Sequence, residues 1–153
     1  MHLVLHNPEI PQNTGNIIRL CQNTGSSLHL IKPLGFNFQD KNLKRAHLDY
    51  KEAEKIKIHN SFEDFIRDEK PKNLFCVETN GVSLHTDQKY TESDYFIFGS
   101  EGQGLPKIIL NHSSIKDVLR IPMIEGNRSL NLSNSVSVVA YEVLRQTKFS
   151  SLK

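Results

Sequence analysis

Residues 121–142 read IPMIEGNRSLNLSNSVSVVAYE, and most of the chain's architecture can be worked out from them. A short apolar strand end, Ile121-Pro122-Met123, runs into a polar loop. The run Ser129-Leu130-Asn131-Leu132-Ser133-Asn134 follows, and then an apolar helix. One or two side chains are enough to cap a helix. Arg128, Ser129, Asn131, Ser133 and Asn134 exceed that need, so some are available to ligand atoms or substrate hydroxyls. An elaborate polar turn is the alternative. The helix is expected from about Ser133 to Thr147. Val136, Val139, Ala140, Val143 and Leu144 fall on one stripe at helical spacing, widened by Val138 and Tyr141. A helix so broadly apolar is deeply buried or part of an interface.

Two other loops repeat this layout, each after a strand-like run. Gly99-Ser100-Glu101-Gly102-Gln103-Gly104 invites a phosphate-binding reading. Glu101 argues against it, because a carboxylate at a helix entry suits a neutral or cationic ligand better than an anion. A tight structural turn is the bland alternative. In the loop spanning residues 13–19, Asn16 and Arg19 lie about one helical turn apart on one face. Arginine in a first helical turn opposes the helix dipole. That favours a functional use, such as holding phosphate or carboxylate, over a surface arginine.

Apolar runs at residues 2–6, 28–31, 74–77, 95–98 and 118–121 read as strands, with a minor one at 56–59. Helical signals lie between them. Asn13 or Thr14 can cap a helix that Gly25 stops. Residues 41–46 read as a helix. Ser61 caps another, with Glu63 and Asp64 in its first turn. Pro106 opens a short one. Nearly all-apolar strands alternating with helices predict an α/β fold with a mainly parallel sheet covered on both faces. Residues 1–153 are expected to form a single domain.

Net charge is +2, from 19 basic and 17 acidic residues, too mild to establish nucleic-acid binding alone. Lys41, Lys44, Arg45 and His47 nevertheless cluster, as a solvated face or as a binding patch. Cys21 and Cys76 sit in apolar contexts, as buried thiols in a reducing cytoplasm would. There is no run of 18 apolar residues, and the N-terminus reads as a strand rather than a signal peptide, so no membrane association is expected. Seven scattered histidines show no metal-ligand spacing, and there is no GxSxG motif or evident triad. No metal is expected.

Residues 7–19 (NPEIPQNTGNIIR), residues 98–105 (FGSEGQGL), and Ile121-Pro122-Met123 with SLNLSN at 129–134 together resemble the three motifs of the SPOUT, or trefoil-knot, RNA methyltransferases. His47-Leu48-Asp49-Tyr50 also matches the minimal members, which methylate the 2′-hydroxyl of the tRNA wobble nucleotide. The resemblance covers essentially the whole chain. Glu78 departs from it, standing where a small polar residue is expected.

The resemblance implies a deep C-terminal trefoil knot, against the usual rule that chains are unknotted. It implies S-adenosylmethionine as cofactor, held by Val77, Thr79, Gly99, Glu101, Gly102, Gly104, Ile121, Met123, Ser129, Leu130, Ser133 and Asn134. It implies a homodimer through the first and last helices, with Arg19 reaching the partner's cofactor. Arg19, Asn16, Ser129 and Asn131 form the implied catalytic group. A guanidinium holds its proton too strongly to be a good base, so Arg19 is read as orienting the target ribose and phosphate and stabilising alkoxide charge. Asn16 positions it, and Ser129 and Asn131 orient the ribose. Lys41, Lys44, Arg45, Arg128 and Tyr141 are the expected contacts to a tRNA anticodon stem-loop. Three alternatives stay open: another tRNA or rRNA site, a catalytically silent RNA-binding dimer, and an ordinary nucleotide-binding α/β enzyme.

Overall fold

A computed structural model describes residues 1–37, 56–150 and 152. In chain order the elements are β1 (His2–His6), α1 (Pro11–Thr24), β2 (Ser27–Ile31), β3 (Ile56–His59), α2 (Phe62–Glu69), β4 (Leu74–Val77), β5 (Ser83–Leu84), β6 (Tyr95–Phe98), α3 (Lys107–Leu110), β7 (Ile115–Arg120) and α4 (Leu132–Gln146). Among the described residues the strands form one seven-stranded sheet, ordered β3-β2-β1-β6-β4-β7-β5. Every strand pairing is parallel.

The period-2 geometry of strands explains why both faces are covered. Leu3, Leu5, Leu28, Leu30, Phe75, Phe96 and Phe98 point to one face, where Ile17 and Ile18 of α1 and Val136, Val139 and Val143 of α4 close the core. Their neighbours Val4, Ile31, Leu74, Cys76, Tyr95 and Ile97 point to the other, under Phe62 and Phe65 of α2 and Ile109 of α3. α1 and α4 pack against each other. The α/β architecture with helices on both faces is therefore as expected.

Several boundaries differ. α1 begins at Pro11, so Asn13 and Thr14 lie inside the helix and do not cap it. Pro11 supplies a pre-set φ at the first helical position, where no N–H is needed. Gly25 ends the helix in the left-handed conformation, φ 69°, as its position suggested. β7 starts at Ile115, three residues before the expected Val118, and ends at Arg120, which leaves Ile121 in the loop. Its partly exposed first half hid it from an apolar-run reading. β5 has two residues, too short to leave a pattern. Val138 and Tyr141 lie off the buried stripe of α4, 39% and 49% exposed. The expected helix at residues 41–46, the cations Lys41, Lys44 and Arg45, and the 47–50 match lie outside the described residues.

The histidines also correct the sequence reading. His2, His29 and His59 come from three adjacent strands and stand in one hydrogen-bonded row, 3.1 and 3.2 Å apart through their ring nitrogens. Burial pushes His29 down to about 3, so its imidazole is neutral.

Ser61 caps α2 as the sequence suggested: its hydroxyl accepts the Asp64 N–H at 3.0 Å. Ser61→Ala is expected to cost about 1 kcal/mol and to lower Tm by about 2–4 °C for a chain of this size, measured by thermal denaturation.

Candidate functional site

Four connections leave the carboxyl ends of β1, β4, β6 and β7, the edge of an open parallel sheet where ligands usually bind. They enclose a cleft of about 420 Å³, within the range that takes a drug-sized ligand. The chain reaches it from β1 through Ile10 and Asn13, from β4 through Val77, Glu78 and Thr79, and from β6 through residues 98–104. From β7 it reaches it through Ile121, Met123, residues 129–132 and Ser135.

The loops are tied together by side chains. Ile10, at the cap position of α1, offers no side-chain cap. The Glu101 carboxylate, 91 residues away, instead holds the backbone that leads into the helix. It accepts the N–H groups of Glu9 at 2.8 Å and Ile10 at 3.2 Å, and the Asn13 side-chain amide at 2.9 Å. A carboxylate at a helix N-terminus is also favoured by the dipole. Asn13 then accepts from the Asn131 Nδ2 at 2.9 Å. Asn131 Oδ1 in turn accepts the Ser133 N–H at 2.9 Å and the Ser133 hydroxyl at 2.7 Å, capping α4. One continuous network, Glu101–Asn13–Asn131–Ser133, joins all three polar loops. Glu101 thus spends its charge on α1 rather than standing free for a cationic ligand.

The glycine loop is equally constrained. A Cβ at Gly99 would lie 2.0 Å from the Gly104 carbonyl carbon, so no side chain fits where the loop folds back on itself. The Gly104 N–H closes that turn onto the Ser100 carbonyl at 3.0 Å. Glu78 holds its far end, its carboxylate accepting the Leu105 N–H. The residue that departs from the family pattern is therefore a structural brace here.

Ten of the expected cofactor residues line the cleft: Val77, Thr79, Gly99, Glu101, Gly102, Gly104, Ile121, Met123, Ser129 and Leu130. Ser133 and Asn134 do not. Ser133 is buried beneath Asn131, and Asn134 gives its N–H to Asn131 Oδ1 at 3.4 Å. Ser129 and Asn131 of the expected catalytic group line the cleft, whereas Asn16 and Arg19 are exposed on α1 and stand outside it. Arg128 is exposed next to Ser129 at the rim. Asn13 is the residue the sequence reading passed over. It was read as a cap, which concealed a buried amide in the middle of a motif.

Fold and site together define a loop-built cleft at the edge of a parallel α/β sheet. The model of the SpoU rRNA Methylase family matches residues 1–141, and the chain belongs to that family. Among individual relatives, a tRNA (cytidine(34)-2'-O)-methyltransferase of Saccharophagus degradans is 48% identical over 152 residues, 99% of each chain. A solved structure described as giving insight into the 2-OH methylation of C/U34 on tRNA superposes with a TM-score of 0.87 at 41% identity, over 97% of this chain and 96% of that one. The SpoU methyltransferase AviRb of Streptomyces viridochromogenes, solved with AdoMet, shares the fold at TM-score 0.84 and 21% identity, over 98% of this chain and 61% of its own.

Glu101→Ala removes a charged acceptor from three donors at once. It is expected to destabilise the chain by about 2–3 kcal/mol, measured by urea denaturation, with Glu101→Gln recovering part of the loss.

Proposed function

We propose that this chain transfers a methyl group from S-adenosylmethionine to the ribose 2′-hydroxyl of the wobble nucleotide, cytidine or uridine 34, of tRNA. The observation that carries the reading is the 48% identity over 99% of the chain to an enzyme named for that reaction. The intact three-loop cleft supports it.

The cleft suits the cofactor. Apolar Val77, Ile121, Met123 and Leu130 can take a purine, while Thr79 and Ser129 offer hydroxyls. The glycines let backbone come close. At Gly102 a Cβ would stand 3.1 Å from Glu9 Oε2, so a side chain there would press on the Glu9 carboxylate. When bound, S-adenosylmethionine supplies a methyl group already activated by its sulfonium charge.

The protein's tasks are then alignment and charge stabilisation. Alignment of nucleophile and methyl carbon can lower a barrier by several kcal/mol. Ser129 orients the ribose from the cleft wall. Asn131 acts mainly as a positioning residue, since its amide is already bound to Asn13 and Ser133. Arg19 holds the target phosphate and steadies negative charge building on the 2′-oxygen, with Asn16 one turn away placing it. The hydroxyl proton leaves to water or to a phosphate oxygen.

Arg19 and Asn16 lie outside their own chain's cleft, and this supports a homodimer in which each subunit lends them to its partner. Half-exposed Tyr141 and exposed Val138 on α4, beside α1, give such an interface an apolar surface. The same proposal includes a single domain over residues 1–153, a C-terminal trefoil knot, action in the cytoplasm, and an anticodon stem-loop held by Arg128, Tyr141, Lys41, Lys44 and Arg45. Among the described residues, no helix is long and apolar enough to cross a membrane.

Calorimetric titration with S-adenosylhomocysteine is expected to give one site per chain. Absence of binding by folded protein counts against the reading. With tritiated cofactor and tRNA transcripts, methylation is expected to require nucleotide 34. Arg19→Ala is expected to lower kcat by about 10²-fold or more while product binding by calorimetry changes little.

A further inference from the structure

The row of histidines on the sheet face opposite α1 and α4 has no part in the cleft. His29 stands against Phe65 and Tyr95, members of the core under α2. His59, at the end of edge strand β3, packs on the same Phe65. Glu69, in the last turn of α2, directs its carboxylate at them, with Oε1 4.0 Å from His29 Nδ1. One ring nitrogen from each of His29 and His59 and a Glu69 oxygen all lie within 4.8 Å of one another. The two imidazoles are buried, and the Glu69 side chain is only 10% exposed.

We propose that His29, His59 and Glu69 form a binding site for a divalent transition-metal ion of the zinc class. Imidazole nitrogens with a carboxylate oxygen are a donor set that zinc, cobalt and nickel accept. Tetrahedral coordination at about 2.0–2.1 Å places two donor nitrogens roughly 3.3 Å apart. The His29–His59 separation is 3.2 Å. The His29–Glu69 gap is 4.0 Å, too long for a hydrogen bond, and closes with a shift of about 0.7 Å at the flexible end of a glutamate.

The surroundings match what ligating histidines need. A metal-bound imidazole usually donates its other N–H to an acceptor. His29 has His2 Nδ1 at 3.1 Å from its Nε2, and His59 has the Asp68 carboxylate 3.9 Å from its Nδ1. The competing occupant is the Lys57 ammonium, bound to both Glu69 oxygens at 2.9 and 3.0 Å. Its side chain is 53% exposed, so it can swing into solvent. The ion would staple β2, β3 and the end of α2 together, a structural role separate from methyl transfer.

The test is titration of the intact protein with Co²⁺, followed by its visible absorption, with Zn²⁺ added as competitor. The expected result is one ion per chain, displaced by Zn²⁺, with His59→Gln and Glu69→Gln each weakening binding about tenfold or more. Lys57→Ala alters only a half-exposed side chain, keeps the fold, and is expected to tighten binding severalfold. No cobalt uptake by folded protein overturns the site. Uptake that neither ligand variant weakens, or that Lys57→Ala leaves unchanged, overturns it as well by placing the ion elsewhere.

Discussion

The Glu101 carboxylate is the contact on which the cleft rests. Helix α1 starts without a side-chain cap of its own. From the loop after β6, Glu101 holds the backbone that leads into the helix, accepting the N–H groups of Glu9 and Ile10. Through Asn13 it reaches Asn131, which caps α4. The N-termini of two helices and the tip of a glycine turn are thus fixed by one set of bonds. Each bond is of ordinary strength, but they are mutually dependent, as buried polar networks tend to be.

The parallel sheet makes that convergence possible. Its strands all run one way, so the loops leaving β1, β4, β6 and β7 emerge at one edge. Residues more than a hundred positions apart meet there, Asn13 and Asn131 among them. The same sheet keeps the histidine row away from the cleft. Odd and even positions of β2 face opposite ways, so Leu28 and Leu30 pack under α1 and α4 while His29 faces α2. A histidine row on one side and a loop-built cleft at the edge coexist without sharing a residue.

Among the described residues, no lysine or arginine lines the cleft. Arg19 and Asn16 stand on the exposed side of α1. Tyr141 and Val138 stand exposed on α4, which packs beside it. Exposed polar residues on α1 and uncovered apolar side chains on the neighbouring α4 accord with the proposal that a second copy completes each site.

The sequence by itself determined the class of fold, because uninterrupted apolar strands can be satisfied only by a sheet buried on both faces. It also located the three loops, since their glycine and polar density exceeds what turns and caps require. Ser61 and Gly25 did what their residue types dictate, as local capping is a short-range matter. What depended on distance in space was hidden. Asn13 passed for a helix cap because its partners Glu101 and Asn131 are remote in sequence. Glu101 reads as a ligand-facing charge because the donors it serves, at Glu9, Ile10 and Asn13, belong to another part of the chain. His2, His29 and His59 read as scattered because parallel pairing aligns strands that lie some thirty residues apart. Local chemistry is written in neighbouring residues, whereas hydrogen-bond partners across a sheet are assigned only when the chain has folded and its register is set.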